Sequence, residues 1–135
     1  MNKFRNKKID IVILQYSVSD NINKNLAGLI KNINDIKVTK NTTIVISHEL
    51  SYLKYFPITK NIENKKNAIN MSSKIIKDIL RVCAKKNIFF LFSFFEKSKG
   101  KFYNSSALMS PNGIVLGKYR KKNIPDEKCY EEKYY

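Results

Sequence analysis

The chain has 135 residues, 43% of them hydrophobic and 27% charged, and its 26 Lys and Arg against 11 Asp and Glu give a net charge of +15. This hydrophobic content excludes an intrinsically disordered chain, which combines high charge with low hydrophobicity. We expect one domain or part of one, because a chain of this length buries roughly two-thirds of its surface on folding. Two cysteines are too few for a disulfide framework and favour a reducing, cytoplasmic location.

The positive charge is spread along the whole chain and is carried mostly by lysine. Arg occurs only at Arg5, Arg81 and Arg120, although its planar guanidinium is favoured for phosphate and base recognition. We therefore interpret the charge as a solvated surface, which argues against nucleic acid as a partner. The alternative of a basic protein that binds nucleic acid or an anionic surface stays open, with residues 1–8 as its best candidate segment.

Hydrophobic runs in the chain are short. The longest, residues 88–95, is well below the roughly 18 apolar residues that a membrane helix needs, so we expect no membrane span. The run at residues 11–14 follows a basic segment but ends at Gln15 without a small-residue cleavage site. We therefore expect no signal peptide.

The chain begins with a predicted strand and a predicted helix. Residues 9–16 form a short apolar run that is typical of a buried strand. Ser19 or Asp20 is the expected N-cap of the helix that follows. Its apolar residues recur at helical spacing on one face, at Ile22, Leu26, Leu29, Ile30 and Ile33.

A second buried strand is predicted at residues 42–47, which are β-branched and apolar. His48 and Glu49 follow at its C-terminal end, where ligands and reactive groups gather in α/β folds. Residues 50–67 hold three aromatic side chains and no clear period. We interpret them as a loop near Glu49.

A long helix and a third strand come next. Residues 87–96 are too apolar for a strand with a solvated face, so we expect this strand to be covered on both sides. The apolar side of the preceding helix is predicted to carry Ile69, Ile75, Ile76, Ile79, Leu80 and Cys83.

The last predicted element is a β-hairpin. Residues 101–109 and 114–119 flank the sequence Ser-Pro-Asn-Gly, which supplies the dihedral angles of a tight reversal. The tail from Arg120 is polar, and Pro125 excludes a long helix across it. The predicted order is β-α-β-α-β-β-β, an α/β fold with a sheet covered by helices.

Several motifs, in this order along the chain, resemble those of the nitrilase or carbon-nitrogen hydrolase superfamily. The last two are most similar to its N-carbamoylputrescine amidase branch. The motifs are H-E-L at 48–50, F-F-E-K at 94–97, Y-N-S-S-A at 103–107, P-N-G-I-V-L-G-K-Y-R-K at 111–121, and I-P-D at 124–126 running into Y-E-E-K-Y-Y at 130–135.

The resemblance implies a fold and an activity. The family fold is a four-layer α-β-β-α sandwich, often assembled as a homo-oligomer, and residues 1–135 correspond to the N-terminal half of one domain. The implied activity is thiol-dependent hydrolysis of a non-peptide C–N bond in a small amide or carbamoyl amine, without a metal or organic cofactor. The implied substrate is N-carbamoylputrescine, cleaved to putrescine, carbon dioxide and ammonia.

The resemblance also assigns roles to three residues. It implies Glu49 as the general base, Lys121 as the cation that stabilises the tetrahedral intermediate, and Glu132 as a second, positioning carboxylate. Without the resemblance, the residues favour a plainer interpretation, in which Glu49 is a solvated loop carboxylate and Lys121 is one more surface lysine. His48 replaces the usual family Pro, and we expect a hydrogen-bonded or solvated imidazole there, not a metal site.

The family nucleophile is a cysteine on a later strand, and no residue of this sequence matches it. Cys129 follows a polar segment instead of an apolar strand, and Cys83 lies on the apolar helix face. We therefore expect residues 1–135 to be inactive alone, and poorly stable with one sheet face open to water. Two explanations remain open, a decayed or truncated product and an enzyme completed by a separately encoded half. A third is a non-catalytic partner of a full-length relative.

Overall fold

The computed structural model describes residues 8–135, so most of the basic N-terminal segment lies outside the described residues. The predicted order β-α-β-α-β-β-β is confirmed. The elements are β1 Ile9–Leu14, α1 Ile22–Asp35, β2 Thr42–Ser47, α2 Lys74–Lys86, β3 Phe89–Ser98, β4 Lys101–Met109 and β5 Val115–Arg120, with short 3-10 helices at Ile62–Asn67 and Glu132–Tyr134.

Within residues 8–135 the strands form one five-stranded sheet in the order β1-β2-β3-β4-β5. β1, β2 and β3 are parallel and are joined by the helical crossovers, whereas β4 and β5 are antiparallel. The predicted β4–β5 hairpin is confirmed. A second hairpin, not predicted, joins β3 to β4 through Lys99 and Gly100, whose φ angles of 49° and 77° suit a two-residue turn.

Both helices of the described range pack on the same face of the sheet. Leu29 and Ile33 of α1 and Ile76, Ile79 and Cys83 of α2 are fully buried against the strands. This confirms the predicted apolar helix faces, whose burial is the main source of stability in such a layer. Across residues 8–135, neither helix has the length and hydrophobicity needed to cross a bilayer.

The N-cap of the first helix lies one residue beyond Asp20 and two beyond Ser19, the two predicted caps. Asn21 is the N-cap, and its side chain accepts a hydrogen bond from the Lys24 backbone N–H at 3.0 Å. Ser19, an expected cap, instead donates to the buried Asn25 side chain at 3.0 Å. Asn25 also donates to the Tyr52 carbonyl, so a long-range contact decides which side chain caps the helix.

The second helix is shorter than predicted. It starts at Lys74 with Ser73 as N-cap, so the assignment of Ile69 to its apolar face is wrong. Ile69 instead pairs with the far end of β3 as an isolated β-bridge to Glu96, and its backbone N–H donates to the Phe95 carbonyl at 2.9 Å. An apolar residue just before a helix fits both a helical face and a short strand, and here Ile69 pairs with the free edge of β3.

The face of the sheet that carries no helix is apolar and open to solvent. The paired residues Ile13, Ile46, Leu91 and Leu108 form a row across four strands on this face. Ile13 is 72% exposed and the others are partly exposed. The prediction that β3 is covered on both sides is therefore wrong for residues 8–135, and the predicted open sheet face is confirmed.

Candidate active site

Glu49 lies just beyond the C-terminal end of β2, on a turn that is tied to the neighbouring strand. The next residue, Leu50, is buried and has a φ of 49°, and its N–H donates to Ser93 Oγ at 2.9 Å. The Ser51 N–H donates to the Ser93 carbonyl at 3.1 Å. These contacts fix the turn, while the Glu49 side chain stays 47% exposed.

Lys121 follows the last residue of β5. Successive side chains of a strand point to opposite faces, so Arg120 turns toward the helix side and Lys121 toward the open face. The Lys121 backbone N–H donates to the Asn104 carbonyl at 2.8 Å, which continues the β4–β5 ladder by one residue. Lys121 thereby comes from a rigid sheet position and not from a mobile tail.

Glu132 comes from the 3-10 helix at the other end of the described chain. The Glu131 N–H donates to the Pro57 carbonyl at 2.7 Å, and the Tyr135 ring packs edge-on against Phe56 with centroids 4.8 Å apart. Both contacts dock residues 131–135 onto the loop after β2. They bury the Glu132 side chain, which is only 5% exposed.

These three side chains meet at one ammonium group. Lys121 Nζ lies 3.0 Å from Glu49 Oε1 and 2.9 and 3.1 Å from the two carboxylate oxygens of Glu132. Burial lowers the pKa of Lys121, but hydrogen bonds and charge from Glu132 and Glu49 outweigh it and hold this pKa above its usual 10.5. The structure thus brings Glu49, Lys121 and Glu132 together around a fixed cation.

Two further residues of the site were not predicted from the sequence. Asn104 Nδ2 lies 2.7 Å from Glu49 Oε1 and 3.4 Å from Glu132 Oε2. The Tyr55 hydroxyl donates to Glu132 Oε1 at 3.0 Å, and burial, together with this contact, raises the pKa of Tyr55. Their one sequence signal was the position of Asn104 within the Y-N-S-S-A motif at 103–107.

The two carboxylates have different surroundings. Glu132 is buried and receives hydrogen bonds on both oxygens from Lys121, Tyr55 and Asn104. At Glu49 both donors, Lys121 and Asn104, reach Oε1, and Oε2 has no hydrogen-bond partner among residues 8–135. Glu132 is therefore a fixed anion, whereas Glu49 keeps an oxygen free to accept a proton.

A cavity of about 350 Å³ adjoins Asn104, Lys121 and Glu132, and Glu49 is not among the residues that line it. Asn104, Lys121 and Glu132 contribute its polar wall, and the rest is largely apolar and aromatic. Its volume falls in the range of small-molecule pockets. The apolar wall includes Leu50, Phe56, Pro57, Phe95, Phe102 and Ile124.

Neither cysteine of the chain lies in this site. Cys83 is fully buried on the sheet-facing side of α2, and burial raises its pKa to about 12, which leaves an inert thiol. Cys129 is exposed and is absent from the cavity wall. His48 packs on Tyr16 with ring centroids 4.6 Å apart, and residues 8–135 contain no group of His, Cys, Asp and Glu placed to hold a metal ion.

A second charged cluster lies on the opposite face of β5. Glu96, 1% exposed, accepts hydrogen bonds from Arg120 through both oxygens at 2.9 Å, from Ser105 at 2.7 Å and from Lys118. Burial raises the pKa of Glu96, but these hydrogen bonds outweigh it and lower the pKa to about 2. The cluster anchors the end of β5 immediately before Lys121.

Comparisons with known proteins agree with this architecture. Residues 11–135 match the sequence profile of the family described as Carbon-nitrogen hydrolase. The chain is 37% identical to a citrullinase of Francisella tularensis subsp. tularensis over 94% of its own length and 44% of that protein. It is 29% identical to the N-carbamoylputrescine amidase of Arabidopsis thaliana over 97% of its length and 44% of that protein.

The fold comparison gives the same family. The crystal structure of a carbon-nitrogen hydrolase from Helicobacter pylori G27 matches with a TM-score of 0.85 and 25% identity, over 94% of this chain and 44% of that one. The chain thus spans less than half the length of these relatives, and the sheet of residues 8–135, with helices on one face, corresponds to half of the α-β-β-α sandwich. This chain belongs to the carbon-nitrogen hydrolase family.

Proposed function

We propose that residues 1–135 are the N-terminal part of a carbon-nitrogen hydrolase domain and supply the base, the cation and the positioning carboxylate of a thiol-dependent amidohydrolase. The observation that carries this proposal is the convergence of Glu49 and Glu132 on the Lys121 ammonium. The cysteine nucleophile comes from polypeptide outside these residues, in the same chain or in a second one. The open sheet face supports this, because a layer that covers it would pass beside the site.

The geometry suits an acyl-transfer mechanism. The free Oε2 of Glu49 accepts the proton of the incoming thiol, and the thiolate attacks the carbonyl carbon of the substrate. The two oxygens of Glu132 are close enough to Lys121 Nζ to share one N–H. A second Lys121 N–H binds Glu49, and the third is left for the oxygen that becomes negative in the tetrahedral intermediate.

The intermediate then breaks down in two steps. Glu49 returns the proton to the departing nitrogen, the C–N bond breaks, and a thioester remains on the cysteine. Glu49 next takes a proton from water, which attacks the thioester and regenerates the thiol. For a carbamoyl amine, one water is consumed, and the amine, carbon dioxide and ammonia are released.

Small carbamoyl amines are the substrate class that we assign. Citrulline and N-carbamoylputrescine, which the names of the two relatives denote, both carry a terminal ureido group on a short aliphatic stem. The aromatic and aliphatic wall of the cavity beside Lys121 suits such a stem, and its polar wall suits the ureido head. N-carbamoylputrescine is our first choice of substrate, with citrulline as its test competitor.

Thiol chemistry also bears on the location of the enzyme. A cysteine nucleophile stays active only while it is reduced, so we assign the enzyme to the cytoplasm. The completed enzyme is proposed to assemble as a homo-oligomer in which each copy carries one such site.

Ammonia release tests the proposed function. Residues 1–135 would be co-produced with the part of the Francisella citrullinase that this chain does not match, and each polypeptide would also be assayed alone. We expect ammonia from N-carbamoylputrescine or citrulline with the pair only, and at least about tenfold slower release from butyramide, which lacks the ureido nitrogen.

The control for this assay is Glu49→Gln, which keeps the shape of the side chain but removes the base. The pair carrying it should release no ammonia above background. A folded pair with no activity on any of the three compounds would contradict the proposal and favour a non-catalytic partner.

A further inference from the structure

Asn104 occupies a central position among the residues of the site. It lies on β4, paired with Phe95 of β3 on one side, and its carbonyl accepts the Lys121 N–H on the other. Its side chain shares the open face of the sheet with Leu108, because residues four apart on a strand point the same way. The backbone of Asn104 therefore fixes Lys121 while its side chain faces the two carboxylates.

The side-chain amide of Asn104 donates to one oxygen of each carboxylate, with a short contact to Glu49 and a long one to Glu132. An amide nitrogen carries two hydrogens, and Nδ2 lies 2.7 Å from Glu49 Oε1 and 3.4 Å from Glu132 Oε2. The reversed amide would place its oxygen against two anionic oxygens, so the environment selects the donor orientation. One residue thus bridges carboxylates that are 83 positions apart in the sequence.

Glu49 depends on this contact more than Glu132 does. Tyr55 and Lys121 also hold Glu132, which is buried. Glu49 is 47% exposed, and apart from Asn104 its carboxylate is held by the Lys121 ammonium, which ends a flexible four-carbon stem. Without Asn104, the Glu49 carboxylate would be free to rotate and to place either oxygen on Lys121.

We infer that Asn104 is a positioning residue that donates one N–H to each carboxylate, separates Glu49 from Glu132 around Lys121, and keeps Glu49 Oε2 directed at the reacting proton. This inference rests on the proposed function, because Oε2 is the atom that acts there as the base. Asn104 touches neither the proton nor the substrate carbonyl in this scheme. Its effect reaches the reaction through the orientation of Glu49.

A first test needs no enzyme activity. In NMR spectra of the chain, the Asn104 side-chain amide signals should move as acid protonates the carboxylates that accept from it, and Glu49→Gln should reduce that movement. Asn64 is the matched control, because its Nδ2 donates at 2.9 Å to the neutral Tyr135 hydroxyl. Asn104 signals as insensitive to pH as those of Asn64 would overturn the inference.

A second test uses the complemented enzyme. Asn104→Leu removes the donor and Asn104→Asp replaces it with a third carboxylate, and each should lower kcat by about tenfold to a hundredfold. The acid limb of the kcat profile should move to higher pH in both variants, because one loses an N–H donor that favours an ionised carboxylate and the other adds a negative charge. The titratable groups that face position 104 are Glu49, Glu132, Tyr55 and Lys121. A purely structural role for Asn104 would lower the yield of folded enzyme but leave that profile in place.

Asn112→Asp is the control for charge, since Asn112 is an exposed residue of the β4–β5 turn. Wild-type behaviour of both Asn104 variants, in an enzyme that Glu49→Gln inactivates, would overturn the role of Asn104 and leave the proposed function intact. Full activity of Glu49→Gln would instead refute the proposed function, and the NMR titration would still decide whether Asn104 binds the carboxylates.

Discussion

The Lys121→Met variant of the complemented enzyme is expected to hydrolyse carbamoyl amines about a hundredfold to a thousandfold more slowly than the wild type. Methionine retains the length of the side chain but removes the positive charge that both carboxylates share. The tetrahedral intermediate then forms beside two anions with no cation to compensate its oxygen. The measurement is kcat for ammonia release at neutral pH.

Lys122→Met is the matched control, because Lys122 is the adjacent, exposed lysine. It removes the same charge from the chain and should leave kcat within about twofold of the wild type, as a solvated surface charge does. Equal rates for Lys121→Met and Lys122→Met would contradict the assignment of Lys121. A loss in both variants would point to net charge and not to the site.

Arg120→Met is expected to give the largest loss of stability, about 3 kcal/mol in the free energy of unfolding. Arg120 donates to both oxygens of Glu96 at 2.9 Å, and its removal leaves a buried carboxylate with Lys118 as its remaining cation. The guanidinium also lies 3.7 Å from the centre of the Tyr103 ring, so a stacking contact is lost as well. Urea unfolding followed by circular dichroism measures the change.

The same cluster predicts how acid affects stability. The pKa of Glu96 is depressed to about 2 in the folded chain, so its contribution is present above the unfolded value near 4.5 and is lost as pH falls toward 2. Arg120→Met should flatten this loss, because the folded pKa is then less depressed.

Arg81→Met supplies the comparison for this stability experiment. Arg81 is 74% exposed and pairs with Asp78 on the surface of α2, so it should change the free energy of unfolding by less than about 1 kcal/mol. The same urea midpoint for Arg120→Met and Arg81→Met would show that the Glu96 cluster does not anchor β5.

Local patterns in the sequence predicted most of the fold. The apolar run of β1, the β-branched run of β2 and the turn residues of the β4–β5 hairpin each determine a strand through short-range preferences. Two of the errors arose where a distant partner competes with a local pattern, and a third, the predicted coverage of β3 on both sides, concerned a sheet face that residues 8–135 leave open. Asn25 donates to the Tyr52 carbonyl and accepts from Ser19, so Ser19 does not cap the helix. Ile69 pairs with β3 and not with the apolar face of α2.

The candidate site could be named only through the family resemblance. No periodicity relates Glu49 to Glu132, because the docking of residues 131–135 onto the loop after β2 depends on contacts such as Glu131 to Pro57. Asn104 lies within a quoted motif, but its role required the strand register. Tyr55 lies in the loop after β2, and its role required the docking of residues 131–135 onto that loop. The ion pairs of Glu96 have a local sequence signal, since a carboxylate within an apolar strand needs a cation partner when it is buried.

We propose that this chain provides the base and the cation for a thiol that comes from elsewhere. The most direct measurement is mass spectrometry of the complemented enzyme, quenched during turnover of N-carbamoylputrescine and digested to locate the carbamoyl adduct. We expect an adduct on a cysteine of the complementing polypeptide and unchanged turnover in the Cys83→Ser and Cys129→Ser variants. An adduct on Cys129, with activity lost in Cys129→Ser, would contradict it.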